Sequence, residues 1–143
     1  MIGKTILTTL LFAGVVALSS AQNMKCRGMD MKVYEMDKMW MMECMKETQA
    51  KTPKEAMMMP CFRKCMVIKR GIVDDMGMPN KEKAIELVKM TAPDAVQSEL
   101  IPMAESCVDM HGGKVKDWKM SCESYVPVCQ CMADAFMNTC MKM

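Results

Sequence analysis

The side chains best equipped for chemistry in this chain carry sulfur: nine cysteines and 23 methionines, against a single histidine. Thiolates form disulfides or hold soft metals, and thioethers suit Cu(I) or take up oxygen from oxidants. The cysteines are Cys26, Cys44, Cys61, Cys65, Cys107, Cys122, Cys129, Cys131 and Cys140. In an oxidising fluid a short cysteine-dense chain is a disulfide framework, whereas the same residues in a reducing cytosol point to metal binding or catalysis. Cys129-Gln130-Cys131 is the pair that could begin a soft-metal site. It stands alone, without the dense repetition of metal-thiolate proteins, so oxidation is favoured and no metal is expected. With one histidine there is no partner set for a nucleophile and base. No Gly-rich phosphate loop or H-E-x-x-H motif is present either, and neither catalysis nor a cofactor is expected.

The compartment is set by the first 21 residues. Lys4 supplies a positive start, Ile6 to Leu18 an apolar run, and Ser19-Ser20-Ala21 a small-residue cleavage site. That is a secretory signal, because the run is shorter than the roughly 20 apolar residues that span a bilayer and a cleavage site follows it. Residues 22–143 then form one mature domain of 122 residues, secreted and extracellular. All nine cysteines lie in it. An odd number leaves one thiol to stay free, to carry a small thiol, or to join two chains as a homodimer. Without Lys4 the charge is 18 basic against 17 acidic residues, with no basic cluster to neutralise phosphates, so nucleic acid is excluded as a partner.

The elements that position the cysteines read as helix after helix, with no convincing strand. Val33, Met36, Trp40 and Cys44 recur at three- and four-residue spacings within a first helix over about Met29–Thr48. Pro53 opens a short second helix to Met58, and Pro60 a third to about Arg70, stopped by Gly71. Residues 73–80 read as a loop ending in Asn80, the N-cap of a fourth helix whose apolar face carries Ala84, Ile85 and Val88. After Pro93 a fifth helix runs to about Met110, kinked or restarted at Pro102 and ended by Gly112-Gly113. Asp117 caps a sixth, from Trp118 to at least Phe136. Expected inward positions include Val33, Met36, Trp40, Phe62, Met66, Ile72, Ile85 and Val88. Leu100, Met103, Val126, Ala133, Phe136 and Met137 complete the set.

Cys61-x3-Cys65 puts two thiols side by side one turn apart, pointing the same way, so each should reach a different neighbour. Cys122-x8-Cys131, on one helix, turns through about half a revolution, which would staple that helix to two partners. Cys44, then Cys61-x3-Cys65, 41 intervening residues to Cys107, 14 to Cys122 and eight to Cys131 form an ordered set. It resembles the insect odorant-binding family of pheromone- and general odorant-binding proteins. The stretch Cys61 to Val88, with Gly71-Ile72-Val73-Asp74-Asp75-Met76-Gly77, is also similar to that family, and the resemblance covers essentially all of the mature chain.

The resemblance implies an all-α bundle of about six helices, stapled by three interlocked disulfides around an apolar cavity. It further implies the bridges Cys44–Cys65, Cys61–Cys122 and Cys107–Cys131, and a carrier of small apolar molecules, odorants or pheromones, serving olfactory transport and meeting a chemoreceptor only indirectly. His111 is read as a helix-end residue rather than a trigger for acid release of ligand. Ligand contact is assigned to Trp40, Met66, Val88, Val126 and Phe136. The chain departs from the family in the short 16-residue interval between Cys44 and Cys61, in lacking a proline after Cys131, and in Cys26, Cys129 and Cys140. For these three the expectation is that the tail folds back and Cys140 pairs with Cys26 or Cys129. The methionines either fill core positions in place of leucine or make an adaptable pocket wall. The competing functional reading is a secreted structural, reserve or oxidant-sink protein on the same scaffold without a dedicated ligand.

Overall fold

Where α-helices begin and end in this chain is decided by prolines, caps and cross-links, and these set the whole architecture. The computed structural model describes residues 25–32, 34–116 and 121–142. The expected signal segment, Val33, and the proposed cap Asp117 with Trp118 lie outside the described residues. Among the described residues six α-helices follow a two-stranded hairpin: α1 Tyr34–Thr48, α2 Pro53–Met57, α3 Pro60–Lys69, α4 Lys81–Thr91, α5 Asp94–His111 and α6 Val126–Cys140. The expected all-α class holds.

The hairpin was not foreseen. Strands β1 Lys25–Cys26 and β2 Met29–Asp30 pair antiparallel across Arg27-Gly28, both in the left-handed region at φ 51° and 79°. Two successive positive φ values make the tight turn whose twist suits a hairpin, and glycine adopts the second freely. The Arg27 side chain is held there by three acceptor oxygens on two residues. Its guanidinium donates to both Glu99 carboxylate oxygens at 3.0 and 2.6 Å and to the Thr139 carbonyl at 2.8 Å. The Lys32 N–H donates to Thr91 O and its ammonium pairs with Asp94. The first helix therefore starts at Tyr34 rather than near Met29, because residues 25–32 are spent on these bonds.

Downstream, the expected boundaries of α2 to α5 stand within a residue or two. Thr52 Oγ1 caps α2 through the Glu55 N–H, and Asn80 Oδ1 caps α4 through the Lys83 N–H. Gly71, at φ 73°, takes the chain out of α3. Pro102 does not restart α5, which runs unbroken for 18 residues. The proline removes one backbone bond, and packing of α5 on both α4 and α6 retains the rest of the helix. The sixth helix is the larger correction. Pro127 stands in its first turn, so α6 opens at Val126, after a 3₁₀ turn at Glu123–Tyr125, and runs on to Cys140. Cys122 thus precedes the helix, and the half-revolution between Cys122 and Cys131 along one helix does not exist.

Four disulfides cross-link these pieces. Cys44–Cys65 joins α1 to α3, Cys61–Cys122 joins α3 to the segment leading into α6, and Cys107–Cys131 joins α5 to α6. The fourth, Cys26–Cys140, ties the hairpin to the end of α6. The tail does not fold back; the N-terminal hairpin comes to it. By restricting the unfolded chain each bridge contributes on the order of 3 kcal/mol. The buried residues form three clusters. One lies among α3 to α6 (Val67, Ile72, Ala84, Val108, Tyr125, Val128), one under the hairpin (Cys26, Ala92, Val96, Leu100, Cys140), and one between α1, α2 and α3 (Cys44, Ala56, Phe62, Met66). Met36, Ala133 and Met137, expected inside, are exposed. Ala133 and Met137 share a stripe with Val126, whereas α6 turns Val128, Met132, Phe136 and Thr139 toward the interior.

The clasp at Arg27 is acid-sensitive. Hydrogen bonding to Arg27 holds the Glu99 carboxyl below its ordinary value of 4.5. A group with a lowered folded pKa stabilises the fold above its unfolded value, and the contribution disappears as pH falls through the folded one. The protection factors of the Arg27 and Lys32 amides, each taken against the intrinsic exchange rate at the same pH, should therefore fall as pH drops below about 4.5, and Glu99→Gln should abolish that fall while leaving protection within α5 unchanged.

Candidate functional site

The five residues assigned to ligand contact fall in different parts of the interior. Trp40 on α1 is half-buried and Met66 on α3 is buried, and both belong to the α1–α3 cluster. That pair of helices is fastened by the Cys44–Cys65 bridge and by Arg70, which donates to both Asp37 oxygens at 2.7 and 2.9 Å. Val88 on α4 is half-buried at the junction of the other two clusters, packing against both. Phe136 on α6 packs on the cluster beneath the hairpin, beside Val96 and Leu100. Val126 opens α6, half-buried, and belongs to none of the three clusters. The structure thus brings Val88 together with Phe136 and Trp40 together with Met66, and it keeps the two pairs apart.

The walls around the first pair are adaptable. Met29 and Met31 from the hairpin pack half-buried against the same cluster as Val88 and Phe136, while Met78 and Met132 pack against the neighbouring one. Unbranched thioether chains reshape at little cost, so this region can admit guests of irregular outline.

A concavity lies on the outside, an open groove of about 700 Å³ between α5 and α6. Its apolar floor runs along Pro127, Cys131 and Ala135 of α6 and Met103 and Cys107 of α5. Gln130, Asp134 and Asn138 stand at four-residue spacing along one edge. Gln130 is fixed there, accepting from Arg63 at 2.9 Å and donating to Asp134 at 2.8 Å. None of the five assigned contact residues lines the groove. His111 closes α5 at one end of it, its Nδ1 3.2 Å from the Lys114 ammonium. Because an ammonium only donates, that contact requires an unprotonated Nδ1.

Sequence reasoning missed Tyr125. Its side chain is fully buried, and its hydroxyl donates to the Gly77 carbonyl at 2.6 Å, pinning the 73–79 loop across the α3–α6 cluster. The Lys64 ammonium sits 5.8 Å from its ring centre. Burial, with the nearby Cys129 and Asp74, raises the phenol above its ordinary pKa. The available signal was Val126-Pro127. A proline belongs in the first turn of a helix, which makes Tyr125 the residue before it.

Cys129 is the free thiol among the described residues. It is half-buried on α6, with its sulfur 3.9 Å from the Arg63 carbonyl. Burial pushes its pKa up to about 11, against the pull of Arg63 and Arg70. Its neighbour Cys131 is spent in a disulfide, so Cys129-Gln130-Cys131 offers no pair of thiolates to a metal.

A helical bundle laced by crossed disulfides, with methionine-walled apolar regions between its layers, is an architecture suited to holding small molecules. Residues 27–135 match the PBP/GOBP family, so the chain belongs to that family of insect odorant- and pheromone-binding proteins. Its members are binding and carrier proteins, and they are secreted. No curated protein and no solved structure matches the chain. The matched span stops short of both Cys26 and Cys140, so the fourth disulfide lies outside it. Among the described residues no helix is long and apolar enough to cross a membrane.

Two outcomes test this geometry. Tyr125→Phe leaves the Gly77 carbonyl unpaired in a buried site, and should lower unfolding free energy in urea by about 1–3 kcal/mol. Cys129 should be alkylated by iodoacetamide roughly a hundredfold more slowly in the folded protein than in denaturant, because a two-unit rise in pKa removes that much thiolate near neutrality. Non-reducing electrophoresis should accordingly show monomer.

Proposed function

We propose that the protein is a secreted carrier which takes up one small lipophilic molecule, an odorant, pheromone or similar compound, in its interior beside Val88 and Phe136. Membership of the PBP/GOBP family is the observation that carries this reading. The half-buried methionines around that pair support it, since they can yield to a guest without disturbing the disulfide-held helices. Uptake is driven by desolvation of the ligand's apolar surface, with few polar contacts. Val88 and Phe136 form the proposed contact, while Trp40 and Met66 hold α1 against α3 and Val126 stands at the mouth of α6. Residues 1–21 act as the secretory signal, and transfer to a membrane chemoreceptor occurs through the released ligand.

The test uses mature protein, residues 22–143, refolded with its disulfides and titrated with the fluorescent probe N-phenyl-1-naphthylamine. Saturable uptake with a dissociation constant on the order of micromolar is expected, with displacement by long-chain alcohols, esters or fatty acids. A ligand present at 100 times its dissociation constant should add about 2.7 kcal/mol of stability by mass action. Val88→Trp should fill the site and abolish both effects while retaining the helical spectrum. Absence of saturable uptake by the unsubstituted protein would overturn the reading.

A further inference from the structure

The methionines do not occupy the places that leucine would. Of nineteen among the described residues, ten are exposed, eight are half-buried and Met66 alone is buried. Of the eleven exposed large hydrophobic residues, only Ile68 is not methionine, whereas the eighteen buried hydrophobic residues include a single methionine. Drift from leucine to methionine in the core would give the opposite distribution. Met36, Met39 and Met42 repeat every three residues along the outer side of α1, opposite Cys44 and the other residues that face α3. Met58, Met76 and Met141 are among the most exposed, at 78, 69 and 71 %.

We propose that this surface of thioethers is a stoichiometric sink for hydroperoxides, a second activity independent of ligand carriage. A lone pair on methionine sulfur attacks the outer oxygen of the hydroperoxide. The O–O bond breaks as the S–O bond forms, and the proton passes to the departing oxygen, which leaves as water or an alcohol. Sulfur is oxidised by two electrons to the sulfoxide, and the hydroperoxide is reduced by two. Three features of the structure suit the chain to this. The competing nucleophiles are withdrawn, since eight cysteines are bonded in pairs and Cys129 is half-buried and largely protonated. The sulfoxide is polar, and at exposed positions its new dipole meets water rather than the core. Apart from Met66, which is shielded by its burial, the buried clusters are held by aliphatic and aromatic residues and disulfide sulfur, none of which the oxidation touches at low dose.

The experiment treats folded mature protein with hydrogen peroxide at neutral pH and follows oxygen addition by intact-mass and peptide mass spectrometry, with circular dichroism and melting recorded in parallel. No apolar ligand is present, so the outcome is independent of the carrier reading. About ten additions are expected at the exposed positions among the described residues, with helicity and melting temperature unchanged, and Met66 should remain reduced until late. Replacing Met36, Met39 and Met42 together by leucine should remove about three of those additions. With peroxide limiting, an equimolar reporter peptide carrying one methionine should be oxidised roughly tenfold less in the presence of the protein. Loss of helix or a fall in melting temperature with the first few additions would overturn the proposal. So would oxidation of Met66 in step with Met58, or an unprotected reporter.

Discussion

Two cysteines one turn apart on a ten-residue helix constrain most of the rest of this molecule. Cys61 and Cys65 leave the same side of α3, too close and too nearly parallel to bond each other without strain. Each must find a partner elsewhere, Cys65 in α1 and Cys61 in the segment before α6. That makes α3 a hub between two halves of the chain that are far apart in sequence. Cys107–Cys131 then fixes α5 against α6, so the three bridges interlock and none can be removed from the lattice without freeing a helix from its neighbour. The buried core around them is built largely of valine, alanine and disulfide sulfur. Burial of such small side chains yields less than burial of leucine or phenylalanine, and covalent ties make up the difference.

The hairpin adds a second level of constraint at one end. Arg27 occupies an unfavourable backbone region, at a cost on the order of 1 kcal/mol. Its guanidinium offsets that by joining α5, through Glu99, to the end of α6, through the Thr139 carbonyl. Cys26–Cys140 holds the same two elements covalently. The result is a clasp over Val96 and Leu100 whose disulfide lies outside the span shared with the family. It confines the region beside Val88 and Phe136 from the side where Met29 and Met31 project. An interior that can adapt therefore sits under a cover that is fastened at its edge, and adaptability is confined to side chains rather than helices.

Much of this was legible from residue types and spacing, and what was not has two causes, competing local signals and contacts distant in sequence. Proline and cap signals placed α2, α3 and α4 because Thr52, Pro53, Pro60 and Asn80 act within a single turn of themselves. In the last helix two start signals compete, Asp117 as a cap and Pro127 in a first turn, and the proline marks where α6 begins. Starting α6 too early hid the buried role of Tyr125 and placed Ala133 and Met137 inside. The hairpin was invisible because two-residue strands carry no periodicity, and what forms them is a disulfide and a guanidinium reaching over a hundred residues along the chain. Contact residues suffered similarly. Trp40, Met66, Val88 and Phe136 were correctly read as inward-facing, but which of them share a cluster depends on how α1, α4 and α6 pack, information that no single helix contains.

Sulfur resolves into three distinct roles once exposure is known. In cysteine it is oxidised in advance and used as structure, and in half-buried methionine it serves as a yielding wall. In exposed methionine it is left reduced and facing solvent, where a leucine would contribute equal apolar area with no reactivity. Because these populations are spatially separate, chemistry at the outer thioethers need not propagate inward. Conversely, a guest in the interior need not alter the surface. The same composition that blurs a sequence-based division into core and surface thus lets one small domain keep an adaptable interior and an oxidisable exterior physically independent.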